Sequence, residues 1–437
     1  MLDVWRSVRI IGLGAWVSCS STPATTDAEI HADANAGSDG DTTPGRVISS
    51  SMLSTCEGET DLAATDDGRV LVAWIDGAGE SIGYRMSSDR GQSWMPVRKI
   101  DSLDGRRATD PVVAHSRTGE LYLAWLGFRS GYRDEAMYLA HAASGAALDP
   151  PVIVSDPSEP STTQYDRPGI AVTDSGAVVI TYAIVRASDA GLVAAVTQDS
   201  QTFIRTPVVQ TPTFQIDDPY PCYSEALHRL FVAYYQDDGT PTEGNARIGL
   251  RWSDDLGATW PGQNATTVAS ASGAVRPAQD GPACIATGSN VWVLYGMTSE
   301  IVFGTNPKLS AIRVAVSSDG GHSFNVPIDA GDPAAGTFFL HPALAREDDG
   351  TLDLVYYAGN ADGDPNGSFR WARWPSGGPT FGRSQAIWAP LTFLQSHTDP
   401  RWLGDYVGLR WNGGRIFTSY TDNGDRCSHV AFFSGMP

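Results

Sequence analysis

The sequence predicts an all-β repeat fold of seven four-stranded units, and three observations carry that prediction. An octapeptide of the form Ser-x-Asp-x-Gly-x-(Ser/Thr)-aromatic occurs three times, at 87–94, 253–260 and 317–324. A short opening signal, an Asp or a residue followed by Pro, precedes an apolar strand-like run seven times. Apolar residues at helical spacing are hard to find anywhere between these signals, which argues against a two-domain α/β chain. Units of roughly fifty to sixty residues, each an up-and-down sheet of four strands, describe the blades of a β-propeller.

Taken from the N-terminus, the chain first shows Arg6 and Arg9 flanking a short apolar run, Ile10 to Val17, followed by Ser18 and Cys19. That layout is a signal peptide, too short to span a membrane. Ending on a Cys, it resembles a bacterial lipoprotein signal, which implies lipidation of Cys19 after cleavage. Ordinary secretion is the alternative. Residues 20–45 are small and acidic with almost no large apolar side chains. Such a segment cannot offset its ordering entropy and reads as a disordered tether. The propeller then occupies 46–437, in a protein that faces outward from the cell envelope or is secreted.

The openings are Asp61, Asp110-Pro111, Asp166-Arg167-Pro168, Asp218-Pro219, Asp280-Gly281-Pro282, His341-Pro342 and Asp405-Tyr406. Strongly apolar second strands follow at 70–75, 121–126, 177–184, 230–235, 291–295, 352–357 and 415–420. Seven openings argue for seven blades. The last unit offers three strands only, so the segment 46–52 is expected to supply its outermost strand and close the ring. That arrangement would place Cys56 beside Cys427 and predicts a disulfide there. Cys222 and Cys284 each lie four residues after an opening Asp, on neighbouring inner strands, where they form a second bridge or stay as buried thiols. An even number of cysteines beyond Cys19 fits an oxidising compartment.

The formal net charge of −20 argues against nucleic acid and anionic lipid as partners, so the membrane would be met only through the lipid anchor. The expected partner is an extracellular carbohydrate or protein, and the expected state is a monomer.

In the octapeptides a Ser, Asp and Gly cluster between two apolar runs is hairpin chemistry. The residues concerned are Ser87, Asp89, Gly91 and Trp94; Ser253, Asp255, Gly257 and Trp260; and Ser317, Asp319, Gly321 and Phe324. The Asp accepts bonds from its own turn, the Gly takes a conformation a Cβ resists, and the aromatic folds beneath. The motif resembles the Asp-box of sialidases and many other β-propellers. The resemblance implies that the boxes are structural turns on the face away from the ligand, and a six-bladed ring as the alternative to seven.

Function is then expected on the opposite face, where Asp61, Asp110, Asp166, Asp218, Asp280, His341 and Asp405 would ring the channel mouth. Such carboxylates cap their own turns, or gather a cation or polar ligand. Sialidase chemistry implies three arginines on the substrate carboxylate, a Tyr activated by a Glu, and an Asp acid–base. Arg167, Arg276 and Arg401 are the candidate carboxylate binders, with Tyr220 and Tyr406 nearby. The family's Arg-Ile-Pro motif is absent, and 56–64 contains no Arg. No catalytic residue can therefore be carried over.

Asp362, Asp364 and Asn366 have the spacing of a calcium loop without its helices or closing acid; they mark an irregular Ca²⁺ site or merely an acidic loop. No cofactor is otherwise required. Three readings follow: an outward-facing propeller that binds a glycan or other ligand, a sialidase-type glycoside hydrolase with a diverged site, or a protein-binding envelope scaffold.

Overall fold

A computed structural model describes residues 46–47 and 57–436, apart from 78–80, 101–104, 130–132, 144–146, 213–214, 238–245, 273–274, 279, 301–307, 395–398 and 425–426. Cys19, the tether and Cys56 lie outside the described residues. Seven antiparallel sheets form a ring, and the described residues contain no α-helix, only 3₁₀ turns such as Glu225–Leu227. The seven-bladed propeller is therefore the fold. No helix among the described residues is long and apolar enough to cross a membrane.

The innermost strands are Gly58–Ala64, Arg107–His115, Gln164–Val172, Gln215–Ser224, Ala283–Thr287, Phe338–Arg346 and Gly408–Asn412. The strongly apolar runs become the second strands, from Val70–Asp76 in the first blade to Arg415–Asp422 in the seventh. They are buried almost throughout, because each is covered on both faces by neighbouring blades. In the seventh blade Arg46 pairs with Phe432 and Val47 with Ala431, antiparallel to strand His429–Gly435. The N-terminal segment thus supplies the outermost strand, as expected.

The three octapeptide turns share one hydrogen-bond pattern. At the central copy the Ser253 hydroxyl donates to Asp255 Oδ1 at 2.6 Å and accepts from Gly257 N at 2.8 Å. Asp255 Oδ1 also accepts from Thr259 N at 2.8 Å, and Oδ2 from the Thr259 hydroxyl at 2.6 Å. Asp89 and Asp319 repeat this arrangement. The Ser93 hydroxyl and amide hold Asp89 down at about 2. Each turn also wedges against the preceding blade. Trp94 packs edge-on against Phe432 at 5.0 Å, and Trp260 Nε1 donates to the Thr206 hydroxyl at 3.1 Å. At Gly91, with φ +83°, an added Cβ would lie 2.3 Å from Phe432.

Cys222 and Cys284 form a disulfide between the innermost strands of blades four and five, with Cα atoms 5.7 Å apart. Cys427 is also disulfide-bonded. Next to it, Glu57 N donates to Ser428 O at 3.3 Å, which brings the residues flanking positions 56 and 427 together.

Candidate functional site

Each blade's first strand runs away from the mouth of the channel, so the first and third hairpin turns of every blade, octapeptides included, fall at the far end. At the near end the inner strands carry bulges. Register shifts occur between Gly58 and Thr60, Thr109 and Val112, Asp166 and Gly169, Asp217 and Tyr220, and Leu340 and Ala343. The bulged residues Glu59, Asp110, Arg167, Asp218 and His341 all have positive φ, between 41° and 54°. In four of these a Pro follows, which cannot donate to the ladder and so favours a bulge. Left-handed conformations of non-glycine residues are uncommon and cluster at sites. Gly281-Pro282 does the same work in blade five, where the inner strand breaks between Pro277 and Ala283.

The bulges gather an acidic cluster around one guanidinium. Arg167 Nη2 lies 2.9 Å from Asp405 Oδ2, and its Nε 3.4 Å from Asp218 Oδ1. Burial opposes the charge of Arg167, but Asp405, Asp218, Asp110 and Asp166 outweigh it and hold the guanidinium firmly protonated. Burial, then Asp166, raises Asp110 to about 7; burial raises Asp218 to about 6 despite Arg167. Glu59 is pushed well above the usual carboxylate range by burial, Asp405 and Asp110. Asp217 is raised likewise by burial, Asp166 and Asp218. Among the described residues Glu59, Asp110, Asp166, Asp217, Asp218 and Asp405 thus all feel the charge of Arg167.

Part of the ring is structural. Asp166 Oδ1 accepts from Arg167 N at 3.0 Å, and Asp217 Oδ1 from Asp218 N at 3.0 Å. Asp280 braces the next blade, accepting from His341 N and contacting His341 Nδ1, both at 3.0 Å, while the imidazole stands edge-on to Tyr357. Below the mouth a channel cavity of about 110 Å³ is walled mainly by apolar groups, with Asp61 and Arg410 also lining it. Asp61 accepts from Leu62 N and from Val113 N of the next blade, both at 2.8 Å, and pairs with Arg410 at 3.2 Å. Tyr220 lines this cavity. The Tyr406 hydroxyl donates to Pro111 O at 3.0 Å; burial, Glu59 and Asp110 push its pKa well up.

Ten of the twelve candidate ligand residues therefore meet at or just below the mouth: Asp61, Asp110, Asp166, Arg167, Asp218, Tyr220, Asp280, His341, Asp405 and Tyr406. Arg276 and Arg401 do not join Arg167. Arg276 donates to Glu300 O at 3.2 and 3.1 Å and sits 3.5 Å from Asp237, whereas Arg401 closes on Asp399 at 3.1 Å. The expected three-arginine clamp is thus not assembled from these residues. The sequence reading also missed Glu59, Asp217 and Arg410. In blade one the bulged residue is Glu59 and not Asp61, because the bulge there lacks the Pro that marks the others.

Asp364 spends both oxygens on its own turn. Oδ2 accepts from Asn360 N at 2.8 Å and Nδ2 at 3.1 Å, and Oδ1 from Asn366 N at 2.9 Å and Nδ2 at 3.3 Å. Among the described residues, no three His, Cys, Asp or Glu side chains are arranged to hold a metal ion.

No family model and no curated protein matches the sequence. Solved structures do share the fold. The polysaccharide lyase Uly1 superposes with TM-score 0.54 at 12% identity, over 86% of this chain and 90% of its own. The Penicillium chrysogenum α-L-arabinanase, complexed with arabinobiose, gives 0.50 at 14% identity, over 90% and 97%. The phage phi92 endosialidase gives 0.50 at 9% identity, over 90% of this chain and 69% of its own. These are carbohydrate-acting β-propellers, and at such identities the likeness establishes the architecture.

Proposed function

We propose that this chain is an outward-facing, lipid-anchored propeller of the Asp-box type that recognises a glycan at the mouth built by Glu59, Asp110, Arg167, Asp218 and Asp405. The observation that carries the reading is a cluster of buried carboxyl groups around Arg167, three of them on left-handed residues, opposite the octapeptide turns. Sugar hydroxyls are hydrogen-bond donors suited to such acceptors. The carbohydrate-acting neighbours support the same ligand class. The missing arginine clamp weighs against a ligand held by its own carboxylate, sialic acid included. A Tyr nucleophile finds no support either, since Tyr406 donates to Pro111 O.

A second reading is favoured by one observation. Asp110 near 7 and Asp218 near 6, both next to Asp166, Arg167 and Asp405, offer one carboxyl that is about half protonated at neutrality and one that has mostly released its proton. General acid and base catalysis of glycoside cleavage needs such a pair. Incubation of the purified protein with a panel of fluorogenic glycosides, alongside calorimetric binding of the matching oligosaccharides, separates the readings. Turnover abolished by Asp110→Asn supports hydrolysis, and binding without turnover supports recognition alone. If nothing binds or turns over, the protein-binding scaffold reading replaces both.

A further inference from the structure

Resting on the glycan reading, the mouth carries an inference about which sugars it accepts. Buried polar groups in folded proteins almost always find partners, so exceptions point to an absent one. Three exceptions sit here. Glu59 Oε2, Asp218 Oδ2 and His341 Nε2 have no hydrogen-bond partner, in residues 2%, 7% and 2% exposed. Asp218 Oδ2 is a carboxylate oxygen, which accepts and does not donate once ionised, while Glu59, held protonated by burial and its acidic neighbours, still has acceptor lone pairs on its carboxyl. Asp218 lines the channel cavity directly, between Arg167 and the apolar wall. Among the described residues that line this cavity, Arg167 is already shared by Asp405 and Asp218, and Arg410 is paired with Asp61.

The cluster is therefore short of positive charge and of donors at the same place. A neutral hydroxyl supplies a donor without charge. A carboxylated or sulfated sugar would add an anion to buried carboxylates, which low dielectric makes costly. A protonated amine supplies both missing quantities, with three donors on one centre. We propose that the axial mouth binds an amine-bearing sugar, a glycan end with a free ammonium group seated between Glu59 and Asp218.

The groups facing those two carboxyls are Asp110, Asp166, Arg167, Asp217, Asp280 and Asp405, so proton and ligand compete for the same negative site. Asp218 titrates near 6, hence an ammonium ligand should bind about tenfold more weakly at pH 5 than at pH 7. The experiment titrates the purified full chain with three trisaccharides: β-1,4-glucosamine, its fully N-acetylated form, and a uronic-acid trimer. The expected result is at least tenfold tighter binding of the glucosamine trimer at pH 7, the stated loss at pH 5, and loss of the preference in Asp218→Asn. Asparagine tolerates the left-handed backbone at this position, and circular dichroism of the variant checks its fold. Equal or tighter binding of the acetylated or uronic trimer overturns the amine inference and leaves the glycan reading standing. Binding of none of the three at millimolar concentration overturns both.

Discussion

Replacing Asp110 by Asn tests whether the mouth is held together against its own charge. Asp110 titrates near 7 in the folded protein, mainly through burial and then repulsion from Asp166, and near 3.9 in an unfolded chain. The folded state therefore binds the proton more tightly, and stability falls as pH rises from about 4 to 7. That separation corresponds to about 4 kcal/mol of destabilisation fully present above pH 7. Asn removes it while keeping an acceptor for the Glu59 carboxyl and a side chain compatible with φ +54°. The attraction of Arg167 is already contained in the value near 7, and Arg167 keeps its contacts to Asp405 and Asp218. The net expectation is a gain of about 4 kcal/mol at pH 8 and a difference within about 0.5 kcal/mol at pH 4. Urea unfolding of both proteins at the two pH values measures this directly. A variant no more stable than the parent at pH 8, with the two coinciding at pH 4, would refute the reasoning.

Two further predictions concern the frame around the mouth. Gly91→Ala places a Cβ against Phe432 at left-handed φ and should cost at least about 3 kcal/mol, whereas Gly176→Ala, at φ +87° with open space around it, should cost about 1 kcal/mol; equal losses would show that the turn is no inter-blade wedge. Replacing Cys222 and Cys284 together by Ala opens a 62-residue loop and should lower stability by about 4 kcal/mol in denaturant. Peptide mass mapping of the unreduced parent should find Cys427 joined to Cys56, and a different partner for Cys427 would dismiss the proposed ring closure.

Much of the frame was legible because it is repeated. The second strands announce themselves as apolar runs between turn signals, and burial on both faces leaves no polar alternation to confuse the reading. The octapeptides were legible because one Asp, one hydroxyl and one Gly do the same job each time. Blade one hid Glu59 because its bulge uses no Pro, so Asp61, two residues on, took its place in the repeat. Asp217 was hidden by the more conspicuous Asp218-Pro219 beside it. Arg410 sits in the short strand Gly408–Asn412 with no motif around it, and its role comes only from Asp61 of the adjoining blade. Arg276 and Arg401 failed as clamp residues for a local reason. Asp237 and the Glu300 carbonyl hold Arg276, and Asp399 holds Arg401.

Propeller geometry brings the starts of seven strands to one small opening, but it does not require those starts to be acidic. The same channel shows the alternative, where Val112, Ile170, Ala283, Leu344 and Leu409 close the wall with apolar groups. Apart from the Asp61–Arg410 pair, that wall incurs no desolvation of charge. At the mouth, by contrast, carboxyls are buried, five residues hold a left-handed backbone, and three polar atoms stay unpaired. Each of these features costs of order 1–3 kcal/mol. Asp280 and Asp61 offset some of that by bracing adjacent blades, and Arg167 offsets more by serving as an internal counter-ion. Those bracing roles explain Asp61, Asp166, Asp217 and Asp280, whose oxygens are spent on backbone amides. They do not explain Glu59 Oε2 or Asp218 Oδ2, which brace nothing. Two acceptors on two blades, beside the shared Arg167, are therefore what a ligand would have to satisfy.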